Sequence, residues 1–154
     1  LTRRYPNLVV MQTFSKAWGM ASVRVGMAFA SPAIIKYFNK MKPPYNISSL
    51  NQEAVLNKIS DTSQFREEVK LIIGERERVS KEVSHLPFVR KVYRSDANFI
   101  LARMDDATLI YNYLVDNDII VRNRSSVVDN CLRITIGTEH ENNKLLSALK
   151  NIEL

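Results

Sequence analysis

The period of the apolar positions changes several times along the chain, and the changes divide it into elements. Asn7 to Gln12 is a short apolar run bounded by Pro6 and a polar loop, which predicts a buried strand. Thr13 to Met20 is a loop of mostly small residues containing Gly19. Val23 to Ala30 alternates, predicting a second strand, with Gly26 inside it where another backbone comes close. Ser31-Pro32 is a helix cap followed by a first-turn proline, so Ala33 to Met41 is expected to be helical until Pro43-Pro44 stops it. Ser48 or Ser49 caps a helix to about Ile59, and Asp61 or Ser63 caps a longer one over roughly 64–84. In that helix Phe65, Val69, Ile72, Ile73, Val79 and Val83 recur at spacings of three and four, predicting one buried stripe, with Gly74 a bend point.

The second half has a different rhythm. Phe88 to Tyr93 and Asn98 to Arg103 read as strands, Ala107 to Asp116 as a helix, Ile119 to Arg122 and Cys131 to Ile136 as strands, and Glu139 to Ile152 as a closing helix. The order ββαββα points to a small sheet covered by helices. The long helix has the length of one that joins two domains.

Composition narrows the class. Of 154 residues 45% are hydrophobic and 25% charged, which suits one ordinary core or two small ones. No apolar run is long enough to span a bilayer, so no membrane partner is expected. A single cysteine, Cys131, cannot form an intrachain disulfide, and a reducing cytoplasm is the default expectation. The opening on Leu1, with Arg3 and Arg4 just before a strand, reads as a piece of something longer. The net charge of +6 fits either a basic part of a longer protein or a site for anionic ligands. Nucleic acid is disfavoured because the basic residues are dispersed and interleaved with glutamates over 66–82. The two histidines, His85 and His140, fall at helix ends, which leaves no metal-ligand spacing and no Ser-His-Asp arrangement.

The stretch Thr13-Phe14-Ser15-Lys16-Ala17-Trp18-Gly19, followed by Arg24 and Gly26, can carry chemistry. A lysine flanked by hydroxyls in a strand-to-loop turn can be held neutral by partial burial and nearby cations, and a neutral amine is the nucleophile that forms a Schiff base. Arg24, eight residues on and placed at the start of the returning strand, can meet a phosphate together with the Thr13 and Ser15 hydroxyls. Gly19 and Gly26 leave room for a ring. Trp18 either lines that pocket or fills core.

The pattern Ser15-Lys16-x-Trp18-Gly19-x(4)-Arg24-x-Gly26 closely resembles the pyridoxal-phosphate (PLP) lysine signature of fold-type I aminotransferases. The resemblance implies that Lys16 joins the cofactor as a Schiff base and that Arg24 binds its phosphate. Asp96 to Arg103 is similar to the small-domain strand of the histidinol-phosphate aminotransferase group. Ile119 to Arg122 and Cys131 to Thr138 are similar to that group's substrate-anchoring segment, and Lys42 to Asn46 to its loop after the first post-lysine helix. By that likeness Arg133 grips the substrate's carboxyl end. Arg122 is a second anion ligand or a solvated strand end, and Asn98 bonds backbone at a strand start or touches substrate.

The resemblance covers nearly the whole chain. It implies an α/β fold: residues 1–75 as the C-terminal part of a PLP-binding large domain, and 76–154 as a small α+β domain. It further implies transamination of histidinol phosphate with 2-oxoglutarate (glutamate as its aminated form) by a cytoplasmic homodimer in histidine biosynthesis. An aromatic-amino-acid aminotransferase and a PLP-dependent phospho-amino-acid decarboxylase are the enzymatic alternatives. In the family, further cofactor ligands precede the lysine, and only fifteen residues do so here. The chain by itself is therefore expected to be a poor enzyme or none, and a non-catalytic association module is the rival from another class.

Overall fold

In the first strand pair, Val10–Thr13 (β1) and Gly26–Phe29 (β2) run antiparallel, with Val10 opposite Phe29 and Thr13 opposite Gly26. The computed structural model in which they are seen describes residues 1–152, so the last two positions of the expected small domain, 153 and 154, lie outside the described residues. Contacts divide the chain into two units, Leu1–Glu67 and Glu68 onward.

In the first unit both strands are shorter than expected. Residues 7–9 are not strand, because the chain is still turning after Pro6, with the Leu8 amide bonded to the Tyr5 carbonyl at 3.0 Å. Residues 23–25 are not strand either. Ala21–Val23 forms a 3-10 turn and Arg24 is left-handed, with φ 52°. The loop closes on Phe14, whose carbonyl accepts from Met20 and whose amide donates to Val25, so the chain must reverse before β2 can start. A Cβ on Gly26 would lie 3.0 Å from the Gln12 carbonyl oxygen, the close approach expected there.

Pro32–Met41 (α1) begins at Ser31, whose hydroxyl donates to the Pro6 carbonyl at 3.0 Å and so does not cap. Ser49–Ser60 (α2) is capped by Ser48, which accepts from the Asn51 amide. The core of this unit is small. Phe14 and Val55 are buried, and half-buried Trp18 stacks on Phe65 at 3.9 Å. Large apolar side chains stand in solvent around it, including Met41 at 81% and Tyr45 at 99% exposure.

Thr62–Ser84 (α3) runs unbroken through Gly74. The Asp61 carboxylate accepts from the Ser63 hydroxyl and from the Ser63 and Gln64 amides, which holds its pKa below the usual carboxylate value. The single buried stripe expected along α3 is not observed. Only Val79 and Val83 are fully buried, while Phe65, Val69 and Ile72 are half-buried and Ile73 is exposed. The boundary between the units falls inside this helix, and only its last turns join the second unit's core. Among the described residues no helix is long and apolar enough to cross a membrane.

In the second unit the strands are Val89–Tyr93 (β3), Phe99–Met104 (β4), Arg122–Asn123 (β5) and Cys131–Thr135 (β6), in the order β3-β4-β6-β5, all antiparallel. The helices are Ala107–Asp116 (α4) and Glu139–Lys150 (α5). The strand expected over Ile119 to Arg122 shrinks to a pair beginning at Arg122. The Ile119 amide is held by the Leu114 carbonyl at 2.8 Å, as an extension of the end of α4, and is not free to pair. Ile100, Ala102, Met104, Leu132 and Ile134 share one sheet face and pack on Val79, Val83, Ile110, Leu114 and Leu149 from the helices. The opposite sheet face carries Phe99, Leu101, Arg103, Cys131, Arg133 and Arg122, by strand alternation and register.

Asn142 on α5 is only 2% exposed. Its amide accepts from the Gly137 N–H at 3.0 Å and donates to the Gly137 carbonyl and to Glu75 Oε2, at 3.1 and 2.8 Å. Glu75 also receives a two-pronged contact from Arg78. The Arg78 bonds, and after them the Asn142 bond, hold the Glu75 pKa down at about 2 from 4.5. A carboxylate depressed in the folded state stabilises the fold above its unfolded pKa, and loses that contribution as pH falls through the folded value. Stability is therefore expected to decline as pH drops from about 4.5 to about 2, and Glu75→Gln to flatten that limb. Asn142→Ala should cost roughly 1–3 kcal/mol at neutral pH, because it leaves the half-buried Gly137 N–H and carbonyl without their partner. Urea unfolding across pH checks both.

Candidate active site

Lys16 lies in the loop between β1 and the 3-10 turn, where its carbonyl accepts from the Gly19 amide at 2.9 Å and Gly19 takes φ 65°. Its side chain is exposed, and the partial burial expected for it is absent. The reason is local: β1 and β2 form a two-stranded sheet with no residue of either strand buried, so little in this unit can cover the loop.

The expected phosphate ligands do come together. Thr13, Ser15, Arg24 and Gly26 line one open cavity of about 390 Å³. Thr13 Oγ1 donates to Ser15 Oγ at 2.9 Å and accepts from the Ser15 amide at 3.1 Å, which leaves the Ser15 hydroxyl proton free for a ligand. Arg24 is not the first residue of a strand, as expected, but sits left-handed two residues before β2. That conformation curls its side chain back so that Nη1 donates to the Ala21 carbonyl at 3.2 Å. The free Ser15 hydroxyl, oriented by Thr13, and a guanidinium around a wall made by a glycine are a donor set suited to a phosphate. Lys16 borders this group in sequence but is not among the residues lining the cavity.

In the second unit Arg133 on β6 stands directly opposite Arg122 on β5 and opposite Leu101 on β4. Directly opposed residues of antiparallel strands project from the same face. Among the described residues neither arginine has an ion-pair partner, whereas Arg78, Arg90, Arg103 and Lys150 all do. Arg133 Nε is buried without a hydrogen-bond partner, and the guanidinium carbon lies 4.9 Å from the centroid of the Phe99 ring. Nothing in the sequence pattern pointed to Phe99. Its place beside Arg133 comes from register, since Phe99 pairs with Thr135 and is thus a diagonal neighbour. Asn98 is exposed, and its main-chain carbonyl accepts from the Ile136 amide at 2.9 Å. Among the described residues its side chain has no hydrogen-bond partner. Arg124 belongs to the hairpin, its amide bonded to the Cys131 carbonyl.

Known proteins of similar sequence bear on what this arrangement belongs to. The chain is 50% identical over 148 residues to the histidinol-phosphate aminotransferase of Flavobacterium psychrophilum, an alignment that takes in 95% of this chain and 42% of that protein. The crystal structure of histidinol-phosphate aminotransferase from Clostridium acetobutylicum superposes with a TM-score of 0.88 at 27% identity, over 97% of this chain and 46% of that one. The enzyme of the same name from Sinorhizobium meliloti, solved in complex with pyridoxal-5'-phosphate, gives 0.81 at 25% identity, over 94% of this chain and 40% of that one. The chain thus spans less than half the length of the relatives it matches. The family model for aminotransferase class I and II matches residues 1–149, and the chain belongs to that family.

Proposed function

We propose that this chain serves as the C-terminal part of a PLP-dependent aminotransferase that exchanges the amino group of histidinol phosphate with 2-oxoglutarate. The observation that carries the chemistry is the placement of Thr13, Ser15 and Arg24 around one cavity, immediately beside the Lys16 turn. The substrate reading rests on the relatives, which are histidinol-phosphate aminotransferases. In this reading residues 1–75 belong to the cofactor-binding domain and 76–154 form the small domain, and the whole enzyme is a homodimer.

Each residue then has a definite task. Arg24 and the Ser15 hydroxyl would hold the cofactor phosphate through charge-assisted hydrogen bonds, with the Thr13 hydroxyl orienting Ser15 by donating to its Oγ. Lys16 Nζ would hold the cofactor at its aldehyde carbon, and as a free amine it would move the proton at the substrate Cα. When bound, PLP supplies the electron-withdrawing ring that stabilises negative charge at that carbon. Arg133, with Arg122 opposite it, takes the phosphate of one substrate and the distal carboxylate of the other in turn, because a guanidinium fork suits both. Asn98, exposed at the head of β4, is a third candidate substrate contact.

A substrate panel tests the reading. Histidinol phosphate is expected to be the preferred amino donor, with 2-oxoglutarate as acceptor. If phenylalanine or tyrosine turns over far faster, the assignment moves to an aromatic aminotransferase, and release of carbon dioxide from a phospho-amino acid moves it to a decarboxylase. The exposure of Lys16 and of the apolar side chains of the first unit favours a second reading for the 154-residue chain by itself, as a module for association without turnover.

A further inference from the structure

Two like charges directly opposed across neighbouring strands repel, and a buried unpaired donor costs free energy. Arg133 bears both costs at once, facing Arg122 with its Nε buried and unpartnered. A carboxylate partner would relieve both and would also orient the guanidinium. It would equally neutralise that group and compete with any anion arriving there. What lies against Arg133 instead is an aromatic face, with the guanidinium carbon 4.9 Å from the Phe99 centroid. A ring face attracts a cation and fixes the plane of a guanidinium without consuming its positive charge or its terminal N–H groups. Phe99 is not part of the hydrophobic core cluster, and by strand alternation it projects from the sheet face opposite that core.

We propose that Phe99 is a positioning residue for Arg133: its ring sets the guanidinium plane, leaves the full charge available, and so tunes the Arg122–Arg133 pair to an acidic group of high charge such as a phosphate monoester. This rests on the reading that Arg133 binds the substrate's acidic end. Phe99 touches no substrate in this role. It takes the place that a carboxylate holds beside Arg78, Arg90 and Arg103.

The test uses the 154-residue chain at low ionic strength, titrated with histidinol phosphate and with inorganic phosphate. Three readings are taken: affinity, thermal midpoint, and the side-chain ¹⁵N–¹H signal of Arg133 Nε, assigned through Arg133→Lys. Phe99→Leu keeps an apolar side chain but removes the ring. It is expected to weaken binding of both probes roughly 5- to 30-fold, to broaden the Arg133 Nε signal, and to leave the thermal midpoint nearly unchanged. Phe99→Tyr keeps the ring face and is expected to bind as the wild type does. If Phe99→Leu does not fold, Phe99→Met makes the same comparison. Wild-type affinity in the ringless variant, or equal weakening in Phe99→Tyr, overturns the proposal. Arg133→Ala separates the two levels. If it too binds like the wild type, the substrate role of Arg133 fails; if it loses binding while Phe99→Leu does not, only the role of Phe99 fails. Absence of binding by the wild type overturns both.

Discussion

Lys16→Ala is expected to remove both the covalent cofactor adduct and turnover. In the chain as it stands, incubation with PLP followed by borohydride should leave a pyridoxyl group on Lys16, found by peptide mass spectrometry. The selectivity to look for is a matter of geometry. Lys16 is exposed, as are Lys36, Lys40 and Lys42, so an exposed amine alone does not single it out. What distinguishes it in the proposed reading is its place next to Ser15, which lines one cavity with Thr13 and Arg24, where the cofactor phosphate would be held. Added inorganic phosphate should therefore suppress the adduct at Lys16 and spare adducts elsewhere. In the enzyme that contains this chain, losing the amine that carries the Cα proton should lower turnover by about 10³-fold or more. An adduct spread evenly over the lysines, indifferent to phosphate, would remove the basis for a cofactor site here and favour the association module.

Arg133→Ala is expected to cost about 2–4 kcal/mol of transition-state binding, or roughly 30- to 1000-fold in kcat/KM. Arg133→Lys should recover only part of this, since an ammonium lacks the planar fork. The competing explanation is a structural ion pair within the small sheet. Among the described residues Arg133 has no such pair, so truncation should lower the thermal midpoint little. Removing a charge that faces Arg122 could even raise it. Kinetics and melting measured together decide: unchanged kcat/KM with a lowered midpoint would end the substrate claim.

The sequence by itself was sufficient for whatever depends on neighbours along the chain. The helix over Ala107–Asp116, the start of α5 at Glu139, a cap at Ser48 or Ser49, the proline stop after Met41 and the close approach at Gly26 all follow from short-range sterics and capping, whereas α5 ends at Lys150, two residues before the expected Ile152. The family was legible for the same reason, because the lysine, the hydroxyls and Arg24 fall within a dozen residues. Tertiary structure decided the rest. An alternating run shows that Val23 and Val25 can be in a strand, but the closure of the loop on Phe14 makes Val23 part of a 3-10 turn and turns Arg24 left-handed. Apolar spacing along α3 is continuous, but burial depends on what lies against each turn, and only Val79 and Val83 reach a core. Nor could the sequence show that Arg122 and Arg133 would stand opposed without a counter-charge over a Phe99 ring. Register is a long-range property, set by which strands pair and where, and it brought Phe99 to Arg133, more than thirty positions farther along the chain.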